Sequence, residues 1–348
     1  MADIRRRTFC TTLAAISVSA EVSAVGEVLV LTNETMQQVK RKKKKQPSFD
    51  AGHGAKPFIK WVGGKGQLLE QLSTLLPKDL ARRKNLAYGE PFVGGGAMLF
   101  FMLGRYPNIT RAVINDLNRE LIATYRSVKE SPDELIDILR KQQNRYRACK
   151  TEEERKAFYL AGRERYNKRG LRDVEVAALF IFLNRTCFNG LYRVNSKGLF
   201  NVPFGKSVNP LICDEDTIRA DSKLLQKVEI LNGDFEQVEK SLGKNAFVYF
   251  DPPYRPLTQT ASFTAYAKDG FNDDEQRRLA AFCRRLDKSG HQWLLSNSDP
   301  HNADPSDMFF EEIYSGFDIN RVSASRMVNS DASGRGKIAE LAIRNYRD

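Results

Sequence analysis

The chain has 348 residues, of which 41% are hydrophobic and 28% are charged, and it carries a formal net charge of +12. This composition excludes wholesale disorder and a collagen-like protein, and five scattered cysteines with no CxxC pair argue against a zinc ribbon or a disulfide framework. No run of 18 apolar residues is present, so no membrane-spanning helix is expected, and three histidines are too few to suggest a histidine-based metal site.

The positive charge is unevenly distributed. The formal net charge is +4 over residues 1–50, +5 over 51–120 and +7 over 121–228, and it is −4 over 229–348. A basic balance favours a polyanionic partner without naming one. The positive charge therefore lies in the first two-thirds of the chain, and the last third is slightly acidic.

Residues 1–55 differ in composition from the rest, with a basic run at 40–45 followed by a linker that contains proline and glycine. We interpret them as a disordered extension, and Met36 is an alternative start. The arginines at 5–7 are typical of a twin-arginine export signal, but residues 11–20 are only mildly apolar. We therefore predict a cytoplasmic protein with reduced thiols.

The pattern of apolar residues from 56 onward predicts alternating helices and strands. In chain order these are a helix at 67–76, a strand at 86–92, a helix at 96–103, a strand at 111–114, helices at 117–128, 132–147, 152–166 and 174–184, two short paired runs within 188–202, strands at 228–231 and 246–250, a helix at 273–286, and strands at 292–296 and 341–346. Strand–helix units flank a mostly helical basic block. This order predicts an α/β fold with one open sheet interrupted by an inserted domain.

A glycine-rich turn follows the first predicted strand, at residues 90–96 (EPFVGGG). Glycines let a backbone approach a ligand closely at the carboxyl end of a strand, but Leu99 stands where a dinucleotide fingerprint has glycine, and no Walker lysine follows. The turn alone is compatible with a nucleotide-like ligand or with a tight turn. Asp116, after the next strand, is interpreted either as a ribose acceptor or as a helix N-cap.

The most specific motif is Asp251-Pro252-Pro253-Tyr254, directly after an apolar strand. The prolines stiffen the loop and remove two N–H donors while leaving their carbonyls free to accept. A carboxylate, a rigid carbonyl and an aromatic face within four residues suit a planar amino group on a base. The bland alternative is a strand end with a solvated carboxylate, which the strand context and the upstream glycine turn disfavour.

Residues 56–65 (KPFIKWVGGK) form a fourth motif. Trp61 could pack on an adenine-like ring and Lys65 could meet a carboxylate. Taken alone, the segment is better interpreted as a surface turn with a core tryptophan.

Together these motifs resemble the DNA adenine-N6 methyltransferase (Dam) family, in the subgroup with the cofactor motif first and the catalytic motif last. The resemblance covers 55–347 and includes 183–185 (LNR), 188–193 (FNGLYR), 200–205 (FNVPFG) and 261–266 (ASFTAY). It implies a Rossmann-like sheet built from 56–120 and 229–348. It also implies a mostly helical target-recognition domain at 121–228 that carries a β-hairpin.

The resemblance implies S-adenosylmethionine as cofactor and adenine in double-stranded DNA as substrate. In the family members closest to this pattern, the target sequence is GATC. The implied cofactor-binding residues are Trp61, Lys65, Glu90, Phe92, Gly94, Gly96, Asp116, Asp234 and Asp251. The implied catalytic residues are Asp251, Pro252, Pro253 and Tyr254. The implied DNA-binding residues are Lys60, Phe188, Asn189, Leu191, Arg193 and Pro203. In this scheme Arg193 reads a guanine, and Phe188, where the family often has tyrosine, wedges into the base stack.

The implied reaction is direct methyl transfer to an adenine flipped out of the duplex, with no covalent nucleophile and no metal, by a monomer or weak dimer. The alternatives are cytosine-N4 or RNA adenine methylation, which use the same amine chemistry, and a non-catalytic DNA-binding protein on a methyltransferase scaffold. Aspartate rather than serine at position 251 favours adenine through the resemblance alone.

Overall fold

A computed structural model describes residues 54–61, 63–256, 271–325 and 337–347. The predictions for the basic run at 40–45 and its linker lie outside the described residues, as does the 261–266 segment. No helix in the described part of the chain is long and apolar enough to cross a membrane.

The regular elements follow the predicted order with boundaries shifted by a few residues. The strands are β1 Leu86–Glu90, β2 Ile109–Asp116, β3 Val228–Asn232, β4 Phe247–Phe250, β5 Gln292–Ser298, β6 Asp318–Ser325 and β7 Lys337–Arg344. The α-helices are α1 Leu69–Thr74, α2 Ala97–Arg105, α3 Arg119–Glu130, α4 Pro132–Ala148, α5 Glu152–Asn167, α6 Asp173–Thr186, α7 Glu215–Leu225, α8 Asp273–Lys288 and α9 Phe309–Ile313. Strand β6 and helices α7 and α9 were not predicted.

The seven strands form one sheet in the order β3-β2-β1-β4-β5-β7-β6. The first five are parallel, β7 is antiparallel to β5, and β6 is antiparallel to β7. The predicted open, Rossmann-like sheet is confirmed. Because the strand order reverses between β1 and β4, the carboxyl ends of these two strands border the crevice where such sheets bind ligands.

The central strands are apolar because both faces of the sheet are covered. Every residue of β1 and β4 is buried, as expected for parallel strands between layers of helices. One face packs a core that includes Leu99 and Ile122, and the other face packs a core that includes Leu279 and Trp293. The two cores hold the strand ends rigidly at the crevice.

Helices α3 to α7 lie between the neighbouring strands β2 and β3, as the prediction of an insertion requires. Helix α3 itself packs on the sheet, because Arg126 and Lys129 donate hydrogen bonds to the carbonyls of Ile230 and Val228 in β3. The domain boundary predicted at residue 121 falls inside this helix. The division into 56–120 with 229–348 and 121–228 stays a prediction.

The predicted hairpin lies in a segment that we call the 187–204 loop. Its antiparallel pairing is present at two isolated bridges, Cys187 with Phe204 and Val194 with Phe200, rather than along regular strands. The positive φ angles of Asn189 and Gly190 interrupt an extended ladder. The loop backbone instead receives hydrogen bonds from the side chains of helix α5.

Candidate active site

Asp251 follows β4 directly, at the carboxyl end of the sheet. Its Oδ1 atom accepts a hydrogen bond from Ser296 Oγ at 3.0 Å and lies 2.9 Å from Lys65 Nζ. Burial raises the pKa of this carboxyl, while the charge of Lys65 and the two hydrogen bonds oppose that rise. Because both contacts end on Oδ1, the carboxylate is fixed through one of its two oxygens.

Lys65 occupies the centre of the site and is only 6% exposed. Its ammonium group lies 4.3 Å from the centre of the Tyr254 ring and 3.9 Å from Glu340 Oε2, and it donates a hydrogen bond to the Gly63 carbonyl at 3.1 Å. One buried cation is therefore shared by two carboxylates and an aromatic face. This sharing compensates a charge that would be costly to bury alone.

Tyr254 is held at both ends. Its hydroxyl donates to Glu340 Oε2 at 2.5 Å, and its ring contacts the Lys65 ammonium. Burial, together with the negative charges of Asp251 and Glu340, raises the pKa of the phenol well above its usual value. Tyr254 therefore remains a neutral ring in a fixed orientation at the end of the motif.

Glu90 ends β1 next to this group and is buried. It accepts a hydrogen bond from Tyr88 Oη at 2.7 Å, and burial raises its pKa well above the usual value, with a further contribution from the charge of Asp251. The site thus holds a carboxylate with a cation partner beside a second carboxyl group that favours its neutral form.

The glycine turn lies beside these carboxyls, and its geometry excludes side chains. Gly96 has φ 75°, and a Cβ placed on it would lie 2.4 Å from Tyr125 Oη. Asp116 ties the turn to β2, because its carboxylate accepts from the Gly94 amide at 3.1 Å and from the Asn118 amide at 2.9 Å. The N-cap alternative for Asp116 is wrong, since Asn118 caps helix α3 by accepting from the Leu121 amide. Burial raises the pKa of Asp116.

Trp61 lies between the glycine turn and the 187–204 loop. A Cβ on Gly94 or on Gly95 would come within 2.9 Å of the Trp61 side chain. The indole also stacks on the ring of Tyr192, with centroids 5.7 Å apart. The tryptophan predicted as a cofactor contact therefore also supports the loop predicted to contact DNA.

Asp234 lies farther along the same edge, after β3. It caps a 3₁₀ helix at Phe235–Ser241 and forms an ion pair with Arg278 at 2.6 Å, which holds the pKa of Asp234 below its usual value. Phe92 is close by, since its ring lies 5.3 Å from that of Phe235. Two aromatic rings therefore lie close to the Asp234 carboxylate.

The predicted DNA contacts differ in exposure. Phe188, Asn189, Arg193, Pro203 and Lys60 are exposed, whereas Leu191 is half-buried and packs against the core. The guanidinium of Arg193 donates to Asn201, from Nε to Oδ1 at 2.8 Å and from Nη2 to the carbonyl at 3.3 Å. Arg193 is therefore held within the loop, with its side chain at the surface.

Asn184 connects Lys60 to this loop. Its Oδ1 accepts from the Lys60 amide, and its Nδ2 donates to the carbonyls of Lys60 and Gly190. A Cβ on Gly190 would lie 2.5 Å from the Lys60 side chain, so the two segments are in direct contact. Lys60 thereby joins the exposed residues of the 187–204 loop in one surface.

Comparison with known proteins identifies the family of this chain. A family model described as D12 class N6 adenine-specific DNA methyltransferase matches residues 61–328. The chain belongs to this family. It is 48% identical to a type II methyltransferase, M.MjaIII, of Methanocaldococcus jannaschii, over 84% of this chain and 99% of that protein. It is 40% identical to the type II methyltransferase M1.LlaDCHI of Lactococcus lactis, over 84% and 95%.

A DNA adenine methylase of Haemophilus influenzae is 32% identical, over 82% of this chain and 92% of that protein. The chain is thus an adenine-specific DNA methyltransferase, and DNA is its substrate. The predicted resemblance to the Dam family is confirmed, and the alternative of a non-catalytic DNA-binding protein is not supported.

Sequence reasoning missed two residues of this D12 methyltransferase site, Ser296 and Glu340, and it gave no role to Asn184, although 183–185 (LNR) is among the motifs of the resemblance. Ser296 begins a polar run, Ser296-Asn297-Ser298, at the end of an apolar strand, and that run was a usable signal. Glu340 lies within strand β7, and the pattern of apolar residues does not show which strands lie beside β7. Asn184 follows eight consecutive apolar residues, 176–183, in helix α6, where a buried amide indicates a specific partner.

Proposed function

We propose that this protein transfers a methyl group from S-adenosylmethionine to N6 of an adenine flipped out of double-stranded DNA, and that this adenine lies in the sequence GATC. The observation that carries the proposal is the fixed carboxylate of Asp251, bonded through Oδ1 to Lys65 and Ser296, beside the Tyr254 ring. An oriented carboxylate, a proline carbonyl and an aromatic face are the groups that hold a planar amine.

The residues at the carboxyl ends of β1 and β2 fit S-adenosylmethionine. Asp116 supports a glycine turn that no side chain obstructs, Glu90 adds a second carboxyl, and Phe92 supplies an apolar wall. Carboxyl groups suit the amino and hydroxyl groups of such a cofactor, and aromatic rings suit its adenine. When bound, the cofactor supplies an electrophilic methyl group on a positively charged sulfur.

The protein positions the amine for this transfer. The adenine leaves the base stack because its N6 is out of reach inside the duplex. Tyr254 stacks on the base, and Asp251 and the carbonyl of Pro252 accept the two N6 hydrogens. Those bonds direct the nitrogen lone pair toward the methyl group, so positioning and electrostatics supply the catalysis.

Recognition is assigned to the surface formed by Lys60 and the 187–204 loop. Arg193 is expected to bind a guanine edge through its two-pronged guanidinium, and Phe188, which is 50% exposed, is expected to fill the space left by the flipped base. Asn189, Leu191 and Pro203 complete the predicted base contacts. The net charge of +7 over 121–228 supplies the attraction to phosphates.

The protein is proposed to act as a monomer or weak dimer in the cytoplasm, where its DNA substrate is found. The second candidate chemistry is cytosine-N4 methylation, because Asp251 and Pro252 would accept from any exocyclic amine. The adenine-specific family favours the first.

The deciding experiment expresses the protein in a host that lacks adenine methylation. The host DNA is then digested with one nuclease blocked by methylated GATC and with another that requires it. Resistance to the first and sensitivity to the second are expected. Labelled methyl groups incorporated without this protection would refute the GATC assignment, and the labelled nucleoside would identify the base.

A further inference from the structure

Three consecutive polar residues end strand β5, and each holds a different part of residues 251–255, which we call the catalytic loop. Ser296 Oγ donates to Asp251 Oδ1 at 3.0 Å, and Ser298 Oγ donates to the Arg255 carbonyl at 2.8 Å. Asn297 Oδ1 accepts from the Arg255 amide at 3.2 Å. All three are buried, so the strand end acts as a template for the loop.

Gln276 completes this template from helix α8. Its Nε2 donates to the Pro253 carbonyl at 3.0 Å, and its Oε1 accepts from Asn297 Nδ2 at 3.2 Å. Gln276 and Asn297 are both fully buried. Both amides are therefore bonded at each end, which fixes which end carries oxygen and which nitrogen.

The two prolines make such outside support necessary. Neither Pro252 nor Pro253 has an N–H, so the backbone of these two residues can be held only through their carbonyls. Gln276 takes the carbonyl of Pro253, and Ser298 takes that of Arg255. Among the residues that the structure describes, no hydrogen-bond donor reaches the carbonyl of Pro252.

We propose that Gln276 and Asn297 are positioning residues for methyl transfer. By holding the Pro253 carbonyl and the Arg255 amide, they fix the loop so that the Pro252 carbonyl and the Asp251 carboxylate face the same amino group. This inference rests on the proposed roles of Asp251 and Pro252. It adds that the direction of the second acceptor is determined by α8 and β5 rather than by the loop itself.

The first test compares Gln276→Leu with Gln143→Leu. Gln143 is a matched control because it is also buried and bonds two backbone amides, those of Ile212 and Cys213, away from the catalytic loop. Single-turnover transfer to a GATC duplex is measured, together with KM for DNA and the melting temperature. Gln276→Leu should lower the transfer rate about ten- to a hundredfold with KM for DNA unchanged, whereas the control should lose stability and keep its rate.

The second test is the pH profile of Gln276→Glu, which separates positioning from a general structural role. A protonated carboxyl at this position can donate to the Pro253 carbonyl, and an ionised one repels it. Burial raises the pKa of the introduced carboxyl, so the rate relative to the unsubstituted protein should rise as pH falls from about 9 to about 6. A relative rate that does not change with pH would overturn the inference, including when Gln276→Leu fails to fold.

Asp251→Ala distinguishes this inference from the function on which it rests. Normal transfer by Asp251→Ala would refute the proposed chemistry. An inactive Asp251→Ala alongside a folded Gln276→Leu with a normal rate would refute only the positioning role.

Discussion

Lys65, Asp251 and Tyr254, at the carboxyl ends of the strands, form what we call the proposed catalytic edge, and they are bonded to one another or to neighbouring side chains. The outward side chains of the 187–204 loop are instead exposed. The loop is held mainly through its backbone: Tyr159 of α5 donates to the Val202 carbonyl at 2.7 Å. A reaction centre gains from groups that are fixed before substrate arrives. The proposed recognition surface instead keeps its outward side chains exposed.

The largest effect is expected where the fixed carboxylate is removed. Asp251→Ala should lower methyl transfer by about a thousandfold, because an acceptor aimed at the reacting amine is lost. Labelled-methyl transfer measures the loss, and DNA binding measured by fluorescence anisotropy should persist. Asp216→Ala, which removes an exposed carboxylate on α7, is the control and should remain active. Near-normal turnover by Asp251→Ala would show that this carboxylate is not part of the reaction centre.

Lys65→Met tests the electrostatics of the same edge. Lys65 lowers the pKa of Asp251, and the ionised form is the acceptor, so removing the ammonium should shift the acid limb of the pH–rate profile to higher pH. The rate near neutrality should fall about a hundredfold and recover partly as pH rises. Lys84→Met, on the surface, should leave the profile in place, and an unshifted profile for Lys65→Met would contradict the coupling.

Arg193→Ala tests the exposed side of the comparison. Loss of one two-pronged base contact should reduce discrimination between GATC and a site with its guanine replaced by about 1–3 kcal/mol. The ratio of kcat/KM for the two duplexes measures it. Arg165→Ala, which removes a surface partner of Glu175, should keep full discrimination. If Arg193→Ala discriminates as well as the unsubstituted protein, guanine is read elsewhere.

Asp221 on α7 lies outside both regions. It tests whether a carboxyl group with a shifted pKa necessarily takes part in catalysis. It is buried, accepts from the Lys56 amide and leaves Oδ2 without a partner among the described residues; burial raises its pKa from 3.8 to about 9. The folded state keeps a proton that the unfolded state releases, so Asp221 makes stability fall as pH rises through that window.

Asp221→Asn should therefore flatten the dependence of melting temperature on pH between about 5 and about 9 and leave methyl transfer unchanged. Asp216→Asn on the same helix is exposed and should retain the original slope. A strong loss of methyl transfer in a stable Asp221→Asn variant would show that the catalytic machinery extends to α7.

Local motifs were predictable, and contacts between distant strands were not. Asp251 to Tyr254 are contiguous, and the apolar run before them identifies a buried strand, so position and chemistry could be inferred together. Ser296 and Glu340 reach the same point only because β5 lies beside β4 and β7 beside β5. Strand order depends on how all the helices cover the sheet, and the local periodicity of apolar residues does not predict it.

One local alternative, the N-cap role of Asp116, was wrong because several polar residues compete for that role. In Asn115-Asp116-Leu117-Asn118, any of three side chains could cap helix α3, and Asn118 does so. Asn115 instead donates to the carbonyls of Pro91 and Gly233, joining the turns after β1 and β3. The capping residue is decided by where the sheet ends, which the sequence pattern leaves uncertain by two residues.

The contacts of Glu340 determine when the site becomes complete during synthesis of the chain. Tyr254 Oη and Lys65 Nζ both depend on a carboxylate from β7, and that strand also inserts between β5 and β6. Chains are synthesised from the amino end, so Lys65, Asp251 and Tyr254 are made before Glu340. A nascent chain that has made the glycine turn and the 187–204 loop still lacks the carboxylate that anchors the Tyr254 ring. The proposed methyl transfer therefore waits until strand β7 has been made.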